Sequence, residues 1–106
     1  MARKCLEIRI FADESGKMNR SVFDISGGVL VISQFTLYGE CRKGRRPDFL
    51  ASAPAEEAKI LYRKFLEIMS GCHPNVAEGV FGAKMKVHLV NDGPVTLILD
   101  RNPGEA

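Results

Sequence analysis

The stretch "VLVISQF", Val29 to Phe35, limits the possible folds more than any other part of the chain. Its apolar residues are continuous rather than alternating, and several are β-branched. Such a run belongs to a strand covered on both faces, so it predicts an interior strand. The run then breaks off into the polar residues of "SQFT", Ser33 to Thr36. Strand ends of α/β domains are where ligands meet the scaffold, which marks Ser33 and Thr36 as candidates for chemistry.

A covered strand needs a partner layer, and "SAPAEEAKILYRKFLEIMSG" supplies one. Ala58, Leu61, Tyr62, Phe65, Leu66 and Met69 recur at helical spacing. Ser52 is a candidate cap, Pro54 falls in the first turn, Glu56 and Glu57 suit the positive end of the dipole, and Gly71 ends the helix. Tyr62 and Phe65 on this stripe read as core. Further on, "NVAEGVFG" predicts a short strand. "MKVHLV" alternates Met85, Val87 and Leu89 against Lys86 and His88, and "VTLILD" follows with a similar pattern, so both predict strands. "VFDISGG" predicts a short strand and turn, and "FADESGKMNRS" a loop. The opening "ARKCLEIRIF" reads as the tail of an element already under way, and "RNPGEA" as a frayed end. Together these make an α/β domain of at least four strands and one strong helix. A length of 106 residues, 45% hydrophobic and 26% charged, fits a single domain over 1–106.

The net charge of +2 does not by itself call for nucleic acid, so any basic site must be local. One such cluster exists: Arg42, Lys43, Arg45 and Arg46 lie in "GECRKGRRPDF" with Gly44 and Pro47. It is either a solvated loop or a phosphate-facing patch. Cys5, Cys41 and Cys72 show no metal-binding or disulfide spacing, so reduced thiols in a cytosolic protein are expected. No signal peptide is expected, and no apolar run in the sequence approaches membrane length. A hydroxyl nucleophile would need a base, and the only histidines are His73 and His88, the latter on a strand face beside Lys86. A conventional triad is not expected. Between the last two strand-like runs lies "NDGPVT", Asn91 to Thr96. Its Gly93-Pro94 bond is either a plain tight turn or a cis bond that exposes carbonyls to a ligand.

"SQFTLYG" and "NDGPVT", with "RIFADESGKMNRSV", "RKGRRPDF", "PAEEAKILYRKF" and "GVFGAKMKVHLV" in the same order, resemble the D-aminoacyl-tRNA deacylases. The resemblance covers nearly the whole chain. It implies a mixed, barrel-like β-sheet with packed helices, a homodimer, no metal and no cofactor. It also implies hydrolysis of the ester joining a D-amino acid, or glycine, to the terminal adenosine of tRNA in the cytoplasm, with no membrane involved. Ser33, Gln34, Phe35 and Thr36 would line the pocket for adenosine and ester, with the Phe35 backbone N–H facing the scissile carbonyl. Gly93 and Pro94, flanked by Asn91, Val95 and Thr96, would reach into the partner's pocket and exclude L-side chains. Phe81 and Met85 would join the substrate site, and Arg42, Lys43, Arg45 and Arg46 would face the tRNA backbone. Thr36 would position rather than attack, since no base is evident and the ribose 2′-hydroxyl can assist. Unaltered motifs favour this group over a sister group that edits another mischarged tRNA. Relative to the family, the chain is expected to lack N-terminal strands, among them one carrying an arginine that fixes the Gly-Pro loop. The alternative is therefore an inactive or RNA- or protein-binding remnant. Lys84 stands where many relatives are acidic, and reads as a surface change.

Overall fold

The structure is a computed structural model that describes residues 1–104; the end of the segment expected to fray, residues 105–106, lies outside the described residues. Helix α1 spans Ala2–Glu7 and is followed by β1 (Phe11–Ala12), β2 (Met18–Arg20), β3 (Val29–Val31), a 3₁₀ turn at Phe35–Tyr38, α2 (Ala55–Cys72) and β4 (Val76–Glu78). Strands β1 and β2 pair antiparallel, so the expected loop after Phe11 is a hairpin. Its turn is built on Asp13: Oδ1 accepts from the backbone N–H groups of Ser15 and Lys17, and Oδ2 accepts from Asn19 Nδ2.

Strands β3 and β4 pair parallel, Val29 with Val76 and Val31 with Glu78, and α2 runs between them in sequence as the crossover element. The core forms where α1 meets α2. Ala2, Leu6, Val22 and Met69 are buried together, and Val29, Val31, Phe65 and Val76 pack against them. The opening "ARKCLE" is thus a helix whose inner face, Ala2 and Leu6, closes the core.

Several expectations are corrected. Strand β3 has β4 as its only neighbour among the described residues, and Leu30 is 59% exposed, so this strand is not covered on both faces. "VFDISGG" is a turn, because Ser21 and Asp24 cap one another. Ser21 N–H donates to Asp24 Oδ2 at 2.8 Å, Asp24 N–H to Ser21 Oγ at 3.0 Å, and Ser26 takes φ 53°. Pro54, not Ser52, precedes α2, and the helix continues past Gly71 to Cys72. "MKVHLV" and "VTLILD" form no strands, because no neighbouring backbone among the described residues supplies their ladder bonds. The described residues accordingly hold two separate two-stranded sheets and no closed barrel. No helix among them is long and apolar enough to cross a membrane.

Candidate functional site

The ends of β3 and β4 and the first turns of α2 enclose a cavity of about 740 Å³. Ser33, Gln34 and Phe35 line one side, and Phe81, Met85 and Val87 another. The site therefore begins where the apolar run of β3 stops, because the backbone must leave the ladder there to form the 3₁₀ turn.

Two hydrogen bonds set that departure. The Val31 carbonyl, the last of β3, accepts from Gly79 N–H at 3.0 Å and from the Tyr62 hydroxyl at 2.9 Å. Helix α2 thus grips the strand two residues before Ser33. The Tyr62 ring also stands 5.6 Å from that of Phe81 and forms cavity wall, so of the two residues read as core only Phe65 packs against the buried cluster. Across the cavity, Phe35 and Phe49 meet edge-on with centroids 5.2 Å apart. Ser52, freed from capping, donates its hydroxyl to the Phe35 carbonyl at 3.3 Å. Gly79 lets Met85 reach the strand end: a Cβ there would sit 2.9 Å from Met85 Sδ.

Of the residues singled out from sequence, Ser33, Gln34, Phe35, Phe81 and Met85 share this cavity. Thr36 does not line it; its hydroxyl accepts a hydrogen bond from Gln34 Nε2. No histidine or carboxylate among the described residues hydrogen-bonds to Ser33 or Thr36. His73 is buried at the C-terminus of α2, with Nε2 2.6 Å from the Gly27 carbonyl, and His88 is exposed. Phe49, Ser52, Tyr62 and Lys84 are wall residues that the sequence did not mark as such. For Tyr62 the helical stripe was the available signal, since a core-facing helix residue near a strand end also faces the strand's ligand side.

The second motif stands apart. None of Asn91, Gly93, Pro94, Val95 and Thr96 lines the cavity of its own chain. The Gly93-Pro94 peptide is cis. Asn91 Nδ2 approaches Thr96 Oγ1 at 3.4 Å across the bend. Gly93 is required there, because a Cβ would lie 2.6 Å from the Val95 nitrogen and 2.9 Å from Asn91 Oδ1. The basic cluster forms an exposed loop closed by paired hydrogen bonds between Glu40 and Asp48, at 2.7 and 2.9 Å. Arg42 pairs with Glu40 at 3.3 Å, and Lys43, Arg45 and Arg46 form no ion pair among the described residues. No three His, Cys, Asp or Glu side chains among the described residues cluster as metal ligands.

Comparison with known proteins identifies the family. The family described as D-Tyr-tRNA(Tyr) deacylase matches over residues 1–100. A D-aminoacyl-tRNA deacylase of Acaryochloris marina is 59% identical over 101 residues, covering 95% of this chain and 67% of that protein. The Petrotoga mobilis protein of the same name is 58% identical, covering 94% and 67%. Among solved structures, the c-Myc DNA Unwinding Element Binding Protein superposes with a TM-score of 0.79 at 45% identity, covering 89% of this chain and 64% of that one. The mixed α/β fold is shared with that solved structure. The chain belongs to the D-Tyr-tRNA(Tyr) deacylase family. It spans about two thirds of the length of the relatives it matches.

Proposed function

We propose that this chain belongs to an enzyme that hydrolyses the ester between a D-amino acid, or glycine, and the terminal adenosine of tRNA. Water adds to the ester carbonyl, the bond to the ribose oxygen breaks, and free amino acid and tRNA with its hydroxyl restored are released. The observation that carries the proposal is the cavity at the end of β3, where Ser33, Gln34 and Phe35 converge with Phe81 and Met85. It offers aromatic walls for a base, and amide and hydroxyl donors for a developing oxyanion. One such donor is typically worth about a hundred- to a thousandfold in rate.

Thr36 acts by position in this scheme, its hydroxyl tied to Gln34, and the ribose 2′-hydroxyl assists the attack on the oriented ester. Gly93 and Pro94 work in trans: in a homodimer they enter the cavity of the partner copy and leave no room for an L-side chain. Their position outside their own chain's cavity supports that assignment. Arg42, Lys43, Arg45 and Arg46 hold the tRNA backbone electrostatically. A purely nucleic-acid-binding role, of the kind carried by the name of the solved neighbour, would need the basic loop alone and leaves the cavity unexplained.

The test is hydrolysis of D-tyrosyl-tRNA against L-tyrosyl-tRNA by this chain. Loss of the D-ester alone is the expected outcome. Equal hydrolysis of both would overturn the exclusion by Gly93 and Pro94, and hydrolysis of neither would overturn the activity for this chain.

A further inference from the structure

The cavity wall is built from aromatic, aliphatic, hydroxyl and amide groups with one exception. Lys84, between Ala83 and Met85, is the only Lys, Arg, Asp or Glu among the described residues that lines it. The ion pairs of the described residues are Arg20 with Glu14, Arg42 with Glu40 and Arg63 with Glu78, and Lys84 takes part in none of them. An unneutralised cation in the wall of a mainly apolar pocket favours a ligand that brings one negative charge to that edge.

The chemistry of the substrate proposed above narrows which charge this is. In an aminoacyl ester the amino-acid carboxyl is esterified and carries no charge, while its amino group is cationic. The nearest anion on an adenosine held between the aromatic walls is the phosphate on its own 5′-oxygen. We propose that Lys84 is a binding residue for this 5′-phosphate, the last phosphodiester of the RNA chain, so that the cavity recognises a nucleotide rather than a nucleoside. A single ammonium suits a single phosphate as a point charge, with no need for the bidentate geometry of arginine. The role differs from that of the Arg42–Arg46 loop, none of whose residues lines the cavity. It rests on the cavity taking the terminal adenosine.

The experiment titrates adenosine and adenosine 5′-monophosphate, separately, into the wild-type chain and into Lys84→Gln and Lys84→Glu, following amide shifts of Gln34 and Phe35 by NMR. Lys84 is exposed, so neither substitution threatens the fold. The expected result is that the wild type prefers the monophosphate about fivefold, the upper range for an exposed ion pair. Lys84→Gln abolishes the preference and Lys84→Glu reverses it, while adenosine affinity stays the same in all three. Added salt shrinks the wild-type preference. An unchanged monophosphate-to-adenosine ratio in Lys84→Gln overturns the role of Lys84 and leaves the adenosine site standing. If neither compound binds the wild type, the adenosine site falls, and Lys84's role with it.

Discussion

Residues 2–78 and residues 84–100 share a local pattern, short apolar runs broken by polar turns, yet the structure treats them differently. In the first region the helices and strands find partners: α1 lies on α2, β1 on β2 and β3 on β4. In the second, Leu89 is 73% exposed, Val90 93% and Ile98 85%, and no ladder forms among the described residues. Alternation alone does not make a strand. A strand needs a neighbouring backbone to satisfy its N–H and C=O groups, and nothing in the run itself provides one. Chain dimensions agree, with a radius of gyration of 15.8 Å against about 13 Å for a packed domain of this length.

The sharpest test of the contrast is Met69→Ala. Met69 is 1% exposed and joins α2 to α1 and Val22, so truncation is expected to cost about 2–5 kcal/mol in denaturant unfolding. A loss below ~1 kcal/mol would mean that the α1–α2 contact is not the stabilising core.

Tyr62→Phe probes where the packed region meets the site. It keeps the ring against Phe81 and removes the hydroxyl that holds the Val31 carbonyl. The expected stability cost is about 1 kcal/mol. In the deacylation assay kcat should fall while KM holds, since the grip sets the placement of Ser33 to Phe35 and leaves the cavity walls in place. A change in KM alone would assign Tyr62 to binding instead.

Acid provides a smaller probe of the same region. Asp24 lies below the usual carboxylate value of 3.8, first because Ser21 N–H donates to it and then through its side-chain bond with Ser21. The Asn19 side-chain amide, and then the Lys17 N–H, lower Asp13 in the same direction. A folded-state pKa below the unfolded one gives stability that is complete above 3.8 and is lost as pH falls through the folded value. Melting temperatures should therefore drop on acidification below that point, and Asp24→Asn should flatten the drop. An acid limb unchanged in Asp24→Asn would remove the Ser21–Asp24 cap as its source.

The smallest effect is expected at Val90→Ser. With this side chain almost fully exposed, unfolding of the isolated chain should change by no more than about 0.5 kcal/mol. A cost near that of Met69→Ala would erase the contrast, and would show that residues 84–100 are buried in solution.

The same physics separates what was legible in the sequence from what was not. Helix α2 was legible through its stripe, because a helix makes its hydrogen bonds within itself and needs its environment only to cover one face. The candidate site was half legible: Ser33, Gln34, Phe35, Phe81 and Met85 do share one cavity. Tyr62 and Ser52 went unmarked because their bonds run to Val31 and Phe35, distant in sequence, and no local pattern encodes such a pairing. Gly27 and Gly28 signalled the turn after "VFDIS". The reciprocal cap of Ser21 and Asp24 made the residues before it a turn as well, where a short strand was expected. By itself, then, the sequence determined family and helix, properties carried by contiguous residues. Only the tertiary structure decided which apolar runs become strands and which residues wall the cavity. Those outcomes depend on backbone and side-chain partners brought together from separate parts of the chain.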